Sequence, residues 1–493
     1  MGDRTPEPSL LTIPDPSDLS RVFFPNLDAP LTIQPWVGPV EVQEATDGTR
    51  GRCLVVVQPV RAGDCLFVTP PTLSVDVGDV AAAWVEQYQQ SVVENTLDCL
   101  TEQALVNAMR VCLDDVQSAT ARSFLSLRGG PATSFAQSSA SLQTLIQSTS
   151  VSLLLGNDTQ PLLDDVIVSD EYLLAIVRKN AFGPDALLSY TNIEQSWRTT
   201  ALNAPTPLDL SRLSLPPRLL GLFPLAAMIN HSCVGNAVRV LVDDVMVVHA
   251  TTDLPAGTEL VWSYGPPTTP FAQRNTRLRA HYGFVCDCPR CQRERAAYRT
   301  DGLGALLRAA ERATVARIDS RGDDDDDKSS SLSSLLQQWE TQIWAHPALS
   351  NQNQRYLRVG AAQVYIQYLN QALRGLPTSN SDKTQLVLRQ TELLHTCMQL
   401  HLAFCACHYA STEHLSILHL CYQLASALHV ANSDHTSPTL SKVRFWTEQL
   451  KKTHMVRYGS LGENVDYVRK MMQHTRTVLR NRNGINLVAH KFV

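Results

Sequence analysis

Between residues 36 and 291 the spacing of apolar positions changes rhythm several times, and each change predicts a different element. Val40-Glu41-Val42 alternates. Arg50-Gly51-Arg52 then turns the chain into the β-branched run Cys53–Val57, and Arg61–Asp64 turns it again into Leu66–Val68. These last two runs are expected to be two strands of a small antiparallel sheet. Ala81–Val85 and Leu97–Leu113 place apolar residues at three- and four-residue steps, which predicts helices. Residues 128–160 are rich in Ser, Thr and Gln and carry no clear period. Residues 171–183 predict a short amphipathic helix ending at Asn180, and residues 201–220 form a proline-rich connection. Leu222–Ile229 is an apolar helix or turn. Arg239–Val242 and Val245–Ala250, joined by Asp243-Asp244, predict a β-hairpin, and Leu260–Tyr264 a short strand.

The second half reads as helical throughout. Leu357, Ala361, Val364 and Tyr368 keep helical spacing, as do Leu393, Cys397, Leu400 and Phe404, with Pro347, Pro377 and Pro438 separating the segments. Antiparallel helix pairs are expected, without a readable repeat motif. Residues 1–35, rich in Pro, Ser and Asp, predict a flexible lead-in. Asp323–Asp327, followed by Lys328 and serines, predict a solvated linker over 296–335.

Composition narrows the class. A chain of 493 residues exceeds one core, so two or three domains are expected. The 44% hydrophobic and 18% charged residues describe an ordinary globular protein. A net charge of −5 without clustered Lys or Arg gives no reason to expect direct nucleic-acid binding. No apolar run reaches spanning length and no signal pattern opens the chain, so neither membrane association nor secretion is expected. The 12 cysteines are scattered singly apart from one cluster, which predicts reduced thiols, a metal site and an intracellular protein, cytoplasmic or nuclear.

That cluster is the first chemical clue. Cys286, Cys288 and Cys291 surround Pro289, and a tetrahedral zinc site needs one more ligand; Cys233 is the nearest candidate. With all four positions filled the metal would be structural. Cys397, His401, Cys405 and His408 share one helix face as well. A single helix rarely supplies a whole tetrahedral site, so ordinary packing is expected there. Gly51, in the turn before a strand, is suited to close approach of backbone to a ligand.

Four motifs occur in a specific order: Asn230-His231-Ser232-Cys233, Gly257-Thr258-Glu259-Leu260, Tyr264, and Tyr282-x-Phe284-x-Cys286-x-Cys288-x-x-Cys291. In that order they resemble the SET-domain lysine methyltransferases, and most closely the branch that joins a SET domain to a MYND module (SMYD). The resemblance covers residues 36–75 and 171–295, and more loosely the helical tail. Cys99 and Cys112 alone cannot make a MYND zinc module, so that module is missing.

The resemblance implies an α+β fold: a SET-type β-rich domain over 36–295, split by an insert at 76–170. A knot-like crossing and a zinc-binding post-SET segment at 271–295 belong to it, and an all-α, tetratricopeptide-like domain over 336–493 follows. It implies transfer of a methyl group from S-adenosylmethionine to a lysine of a histone or non-histone protein by a monomer. Tyr264 would be the active-site phenol. Gly51, Arg52, Asn180, Asn230, His231, Tyr264 and Phe284 would hold the cofactor, and Tyr282 would line the substrate channel. Cys233, Cys286, Cys288 and Cys291 would bind structural zinc. Cys53 stands where the family has a second glycine, and Gly235 where it has a proline before Asn236. The alternative is a catalytically weak SET scaffold that binds peptides through its helical tail.

Overall fold

β-Branched runs between residues 36 and 262 form short strands around one core, and amphipathic segments beyond residue 270 form helices. The computed structural model describes residues 36–44, 51–76, 97–114, 118–127, 150–155, 168–183, 219–242, 245–319, 329–374, 383–431 and 437–459. Residues 1–35, Ala81–Val85, most of 128–160, the proline-rich connection and Asp323–Asp327 lie outside them.

Strands β1 (Trp36–Val37), β4 (Cys65–Thr69), β10 (Val245–Ala250) and β9 (Ala237–Val242) form one antiparallel sheet in that order. The expected hairpin is there, with Val245 opposite Val242. β2 (Val40–Glu44) pairs with β3 (Arg52–Val56), while β5 (Leu73–Asp76), β7 (Leu219–Leu222) and β6 (Ala181–Phe182) make a third sheet. The Cys53 and Leu66 runs are both strands, as expected, but they lie in different sheets rather than one. β3 is buried along its whole length, so it bonds on one side to β2 and on the other to the Thr258–Leu260 segment. The turn at Arg61–Asp64 bonds instead to Ala250, through the Gly63 N–H, and to Asp253.

The insert is part of this core. Leu105, Val106 and Met109 of α1 (Leu97–Leu113) and Phe124 and Leu125 of α2 (Ala119–Leu125) pack with Leu54, Val56 and Phe67. So do Leu153 and Leu154 of α3 (Val151–Leu154). α4 (Asp170–Asn180) follows. The Ser169 hydroxyl accepts from the Tyr172 N–H at its start, with acidic residues in its first turn and basic ones in its last.

α5 (Pro224–Ala227) leads into β8 (Asn230–His231), which lies parallel to β11 (Val261–Trp262). α6 (Phe271–Tyr282) ends at Gly283, whose φ of 78° suits glycine, and α7 (Pro289–Arg299) begins on Pro289. The expected linker is corrected next: α8 (Leu303–Asp319) and α9 (Ser329–Trp339) are helices. Leu303, Leu307, Ala310 and Thr314 recur every three or four residues, and burying that stripe favours a helix over solvated coil.

After a π-helical turn at Glu340–Trp344 come α10 (Asn351–Gly360), α11 (Ala362–Arg374), α12 (Lys383–Cys407), α13 (Thr412–Ala431) and α14 (Ser437–Tyr458). Trp339, Trp344, Tyr365, Phe404 and Leu418 belong to their shared core. α14 closes on the first sheet: a side chain at Gly63 would meet the Met455 carbonyl at 3.0 Å. Among the described residues no helix is long and apolar enough to cross a membrane.

Candidate functional site

The parallel contact of β8 and β11 sets the site. Asn236 fastens it: its Nδ2 donates to the Glu259 carbonyl (2.8 Å) and its Oδ1 accepts from the Val261 N–H (2.8 Å). The Ser232 N–H reaches the Trp262 carbonyl at 2.9 Å. A Cβ on Gly235 would stand 3.1 Å from the Trp262 Cα and 3.2 Å from the Val261 oxygen. Gly235 therefore lets two backbones approach in a tight turn.

Asn230 spends both amide hydrogens inside the protein, on the Arg52 carbonyl (3.1 Å) and on Glu259 Oε1 (2.9 Å). Its Oδ1 makes no hydrogen bond among the described residues, so it is the side-chain atom able to accept from a ligand. Gly51, next to Arg52, has a φ of 73°, a conformation that favours glycine. The buried Arg52 guanidinium donates to the Ser126 carbonyl at 2.7 Å, so that side chain anchors the insert, and its backbone faces Asn230. Asn180 is buried, and its Nδ2 donates back to the Ile176 carbonyl at 2.9 Å, which closes its helix. Two residues on, Phe182 meets Trp262 edge to face at 5.6 Å, which brings this segment to β11.

Tyr264 follows β11 and turns back toward the strand before β8. Its phenol donates to the Ile229 carbonyl at 3.0 Å. Burial pushes its pKa above the usual tyrosine range, and Tyr282 and Glu259 push the same way, so the group stays a neutral phenol. Around it stand Tyr282 (ring centroids 4.8 Å apart), His231 (5.2 Å) and Phe284 (6.4 Å). Together they form an aromatic wall that suits a methylene chain or a cation.

The His231 ring is held from both sides. Nδ1 accepts from the Tyr264 N–H at 3.0 Å, so Nε2 carries the proton and donates to Cys233 Sγ at 3.3 Å. Both nitrogens are engaged within the protein, which leaves the ring face and backbone to meet a ligand. The imidazole couples the tyrosine to the cysteines.

Cys233, after β8, meets Cys286 and Cys288 of the loop after α6 and Cys291 in the first turn of α7; all four sulfurs lie within 4.8 Å of one another. Cys233 Sγ is 3.9 Å from that of Cys286 and 3.6 Å from that of Cys291. Zinc bonded at about 2.3 Å in a tetrahedron spaces its sulfurs about 3.8 Å apart, so the residues fit the ion. Hydrogen bonding from Cys233 pulls the Cys286 thiol far below its usual range, and the same contact pushes Cys233 far above. Cys288 is also pulled down, to about 6, while Cys291 is pushed up, so two of the four sulfurs favour the thiolate form that a cation would stabilise. Arg274 also reaches it, Nε to Cys233 Sγ at 3.1 Å. Neither Arg274 nor Glu259 is predicted as a site residue. Glu259 lies inside the Gly-Thr-Glu-Leu motif, whereas Arg274 carries no local sequence signal.

A second group also gathers. His401 and Cys405 of α12 meet His414 of α13, their ligand atoms within 4.8 Å of one another. The sequence placed His401 and Cys405 on one face but gave no sign of His414.

Comparison with known proteins follows the same residues. Residues 51–265 match the SET domain family. A Gibberella zeae protein named methyltransferase is 45% identical over 78 residues, 15% of this chain and 11% of that protein. The Arabidopsis thaliana histone-lysine N-methyltransferase ASHR2 is 32% identical over 104 residues, 20% of this chain and 26% of its own. The human protein-lysine N-methyltransferase SMYD4 is 36% identical over 76 residues, covering 15% and 10%. The matched segments thus span about a tenth to a quarter of these relatives. The chain is thus similar to the SET domain family over residues 51–265 and, in shorter segments, to named lysine methyltransferases.

Proposed function

We propose that this protein is an S-adenosylmethionine-dependent protein-lysine N-methyltransferase. The observation that carries the reading is the meeting of Asn230-His231, Tyr264, Tyr282 and Phe284 beside the four cysteines, within the stretch that matches the SET domain and on into the segment after it. The names of the matched relatives point the same way.

When bound, S-adenosylmethionine would supply a methyl group on a positively charged sulfur. The chain's own residues do the rest. Gly51, the Asn230 side chain and the His231 backbone form the cofactor wall, with Phe284 closing it. Asn180 approaches from α4, and its amide mainly holds its own helix end. Tyr282 and Tyr264 line the channel for the lysine side chain. An apolar aromatic channel disfavours the ammonium form, so the lysine amine arrives neutral and nucleophilic. Tyr264 commits its one proton to Ile229 and so offers two oxygen lone pairs to orient polarised C–H or N–H groups. As a neutral phenol it aligns the reactants and takes no proton. Alignment alone supplies several kcal/mol of the rate enhancement.

Zinc at Cys233, Cys286, Cys288 and Cys291 would be structural, with no open position, and would hold the 271–295 segment against the channel. The parallel β8–β11 contact supports a knot-like crossing. The helical region acts in this reading as a tetratricopeptide-like protein-binding surface, on a monomer that takes a histone or non-histone protein as substrate. An intracellular location goes with it, since thiolate metal centres compete with disulfide formation in oxidising compartments.

The test incubates the full chain with labelled S-adenosylmethionine and candidate proteins, with methyl-lysine read by mass spectrometry. Tyr264→Phe should lower kcat about 100-fold while cofactor binding persists. Cofactor binding without transfer by the parent chain favours the peptide-binding scaffold. A parent that binds no cofactor overturns the enzyme.

A further inference from the structure

The polar groups around the four cysteines do not balance. Arg274, Arg290 and Glu294 are buried (4%, 0% and 1% exposed), which leaves two positive charges against one negative. Glu294 is fully used: Oε2 pairs with Arg274 Nη2, and Oε1 accepts from Arg290 Nε at 3.0 Å. Among the described residues no other carboxylate pairs with either guanidinium. Arg290 directs Nη1 to the Pro267 carbonyl (2.8 Å) and toward Cys407 Sγ (3.7 Å) at the end of α12.

Arg274 donates to the Thr269 carbonyl (2.8 Å), and its two remaining hydrogen bonds go to sulfurs: Nε to Cys233 (3.1 Å) and Nη2 to Cys291 (3.6 Å). A neutral thiol is a weak acceptor, and a buried cation without a counter-charge is costly. Two N–H groups of one guanidinium directed at two sulfurs call for anionic sulfurs. Zinc with four thiolates supplies them, because it leaves two negative charges in excess.

We propose that Arg274 is the outer cation of the cysteine centre. It neutralises part of the metal–thiolate charge through N–H···S bonds, and Glu294 and Arg290 hold it in place and extend the network to the helical region. This rests on the zinc reading above and adds a positioning residue to it. Lysine would keep the charge but could not reach two sulfurs, a carboxylate and a carbonyl at once.

The test measures zinc affinity by chelator competition on the purified full chain, for the parent, Arg274→Lys, Arg274→Gln, Arg274→Met and the same-helix control Arg279→Met. Outer-layer partners of metal ligands change affinity by about 10- to 100-fold. Arg274→Met should fall in that range, with Gln close to it, Lys between them and the parent, and Arg279→Met unchanged. The Lys and Gln variants keep a polar group on Thr269 and decide the matter should the Met variant not fold. Cobalt(II) gives a readout that a packing role would not move. Loss of the N–H···S bonds raises electron density on sulfur, so the sulfur-to-cobalt absorption should shift to longer wavelength in Arg274→Gln.

A parent chain that holds no zinc overturns the zinc reading and this inference with it. A parent that holds one zinc, matched within about threefold by Arg274→Lys and Arg274→Gln with an unshifted cobalt spectrum, overturns this inference alone.

Discussion

The two gatherings of metal-ligand residues, one beside the crossing and one between α12 and α13, look alike by distance and differ in what surrounds them. At the cysteines the neighbours donate: the Arg274 and His231 N–H groups point at sulfur, and the sulfurs answer as acceptors, which is how ligands of a cation are held. At the histidines a neighbour donates to the wrong atom for a metal. The Ala410 N–H meets His414 Nδ1 at 3.2 Å, so Nε2 carries the proton and donates to His401 Nδ1 at 2.9 Å. The lone pair that a metal would need is taken by that proton. Burial pushes His401 down to about 4 and His414 well below its usual range, and the two rings stack with centroids 5.1 Å apart. This is a neutral hydrogen-bonded pair sealing a helix junction. Proximity selects candidates, and the direction of the surrounding donors decides between them.

Breaking the first cluster should have the largest effect. Cys286→Ser should take bound zinc from about one per chain to about none by elemental analysis, and lower the melting temperature, because structural zinc binding contributes on the order of 10 kcal/mol to small metal-dependent folds. Full retention of zinc would erase the contrast.

Acid should break the second. Burial, with Arg457 adding to it, also holds His249 at about 4 and His454 at about 3 where α14 meets the first sheet. These folded values lie below the unfolded histidine value of about 6.5, so the unfolded chain binds more protons in between. Their contribution is complete above about pH 6.5 and is lost as pH falls toward 4, about 3 kcal/mol per fully buried histidine. Melting temperature followed across that window should drop, and His401→Gln should flatten part of the slope. A flat profile in the parent would mean that the rings titrate alike in the folded and unfolded chain.

The smallest effect sharpens the comparison. Cys405 is exposed, and Cys405→Ser should leave zinc content and melting temperature unchanged. Loss of a second zinc would show that the histidine pair opens to bind metal after all.

Much of the first cluster was legible along the chain, because its three clustered cysteines carry metal-like spacing and Cys233 follows an Asn-His pair. Helices α1 and α4 were legible too, since amphipathic period and end residues are local properties. The pairing of β3 with β2 was not: a strand buried on both faces takes the partner that covers it, and the alternation of residues does not say which. Nor was α8, because the acidic and serine-rich run after it suggested a linker across the whole of 296–335.

By itself the sequence determined the order of elements, the thiol chemistry and the residue types of the aromatic wall, since each follows from neighbours within a few positions. Tertiary structure alone decided the rest. It tied the His231 ring between Tyr264 and Cys233, brought Arg274 to the sulfurs, and set His414 against His401. Those roles depend on which atom faces which across 13 to 41 residues of chain, and only burial and donor direction fix that.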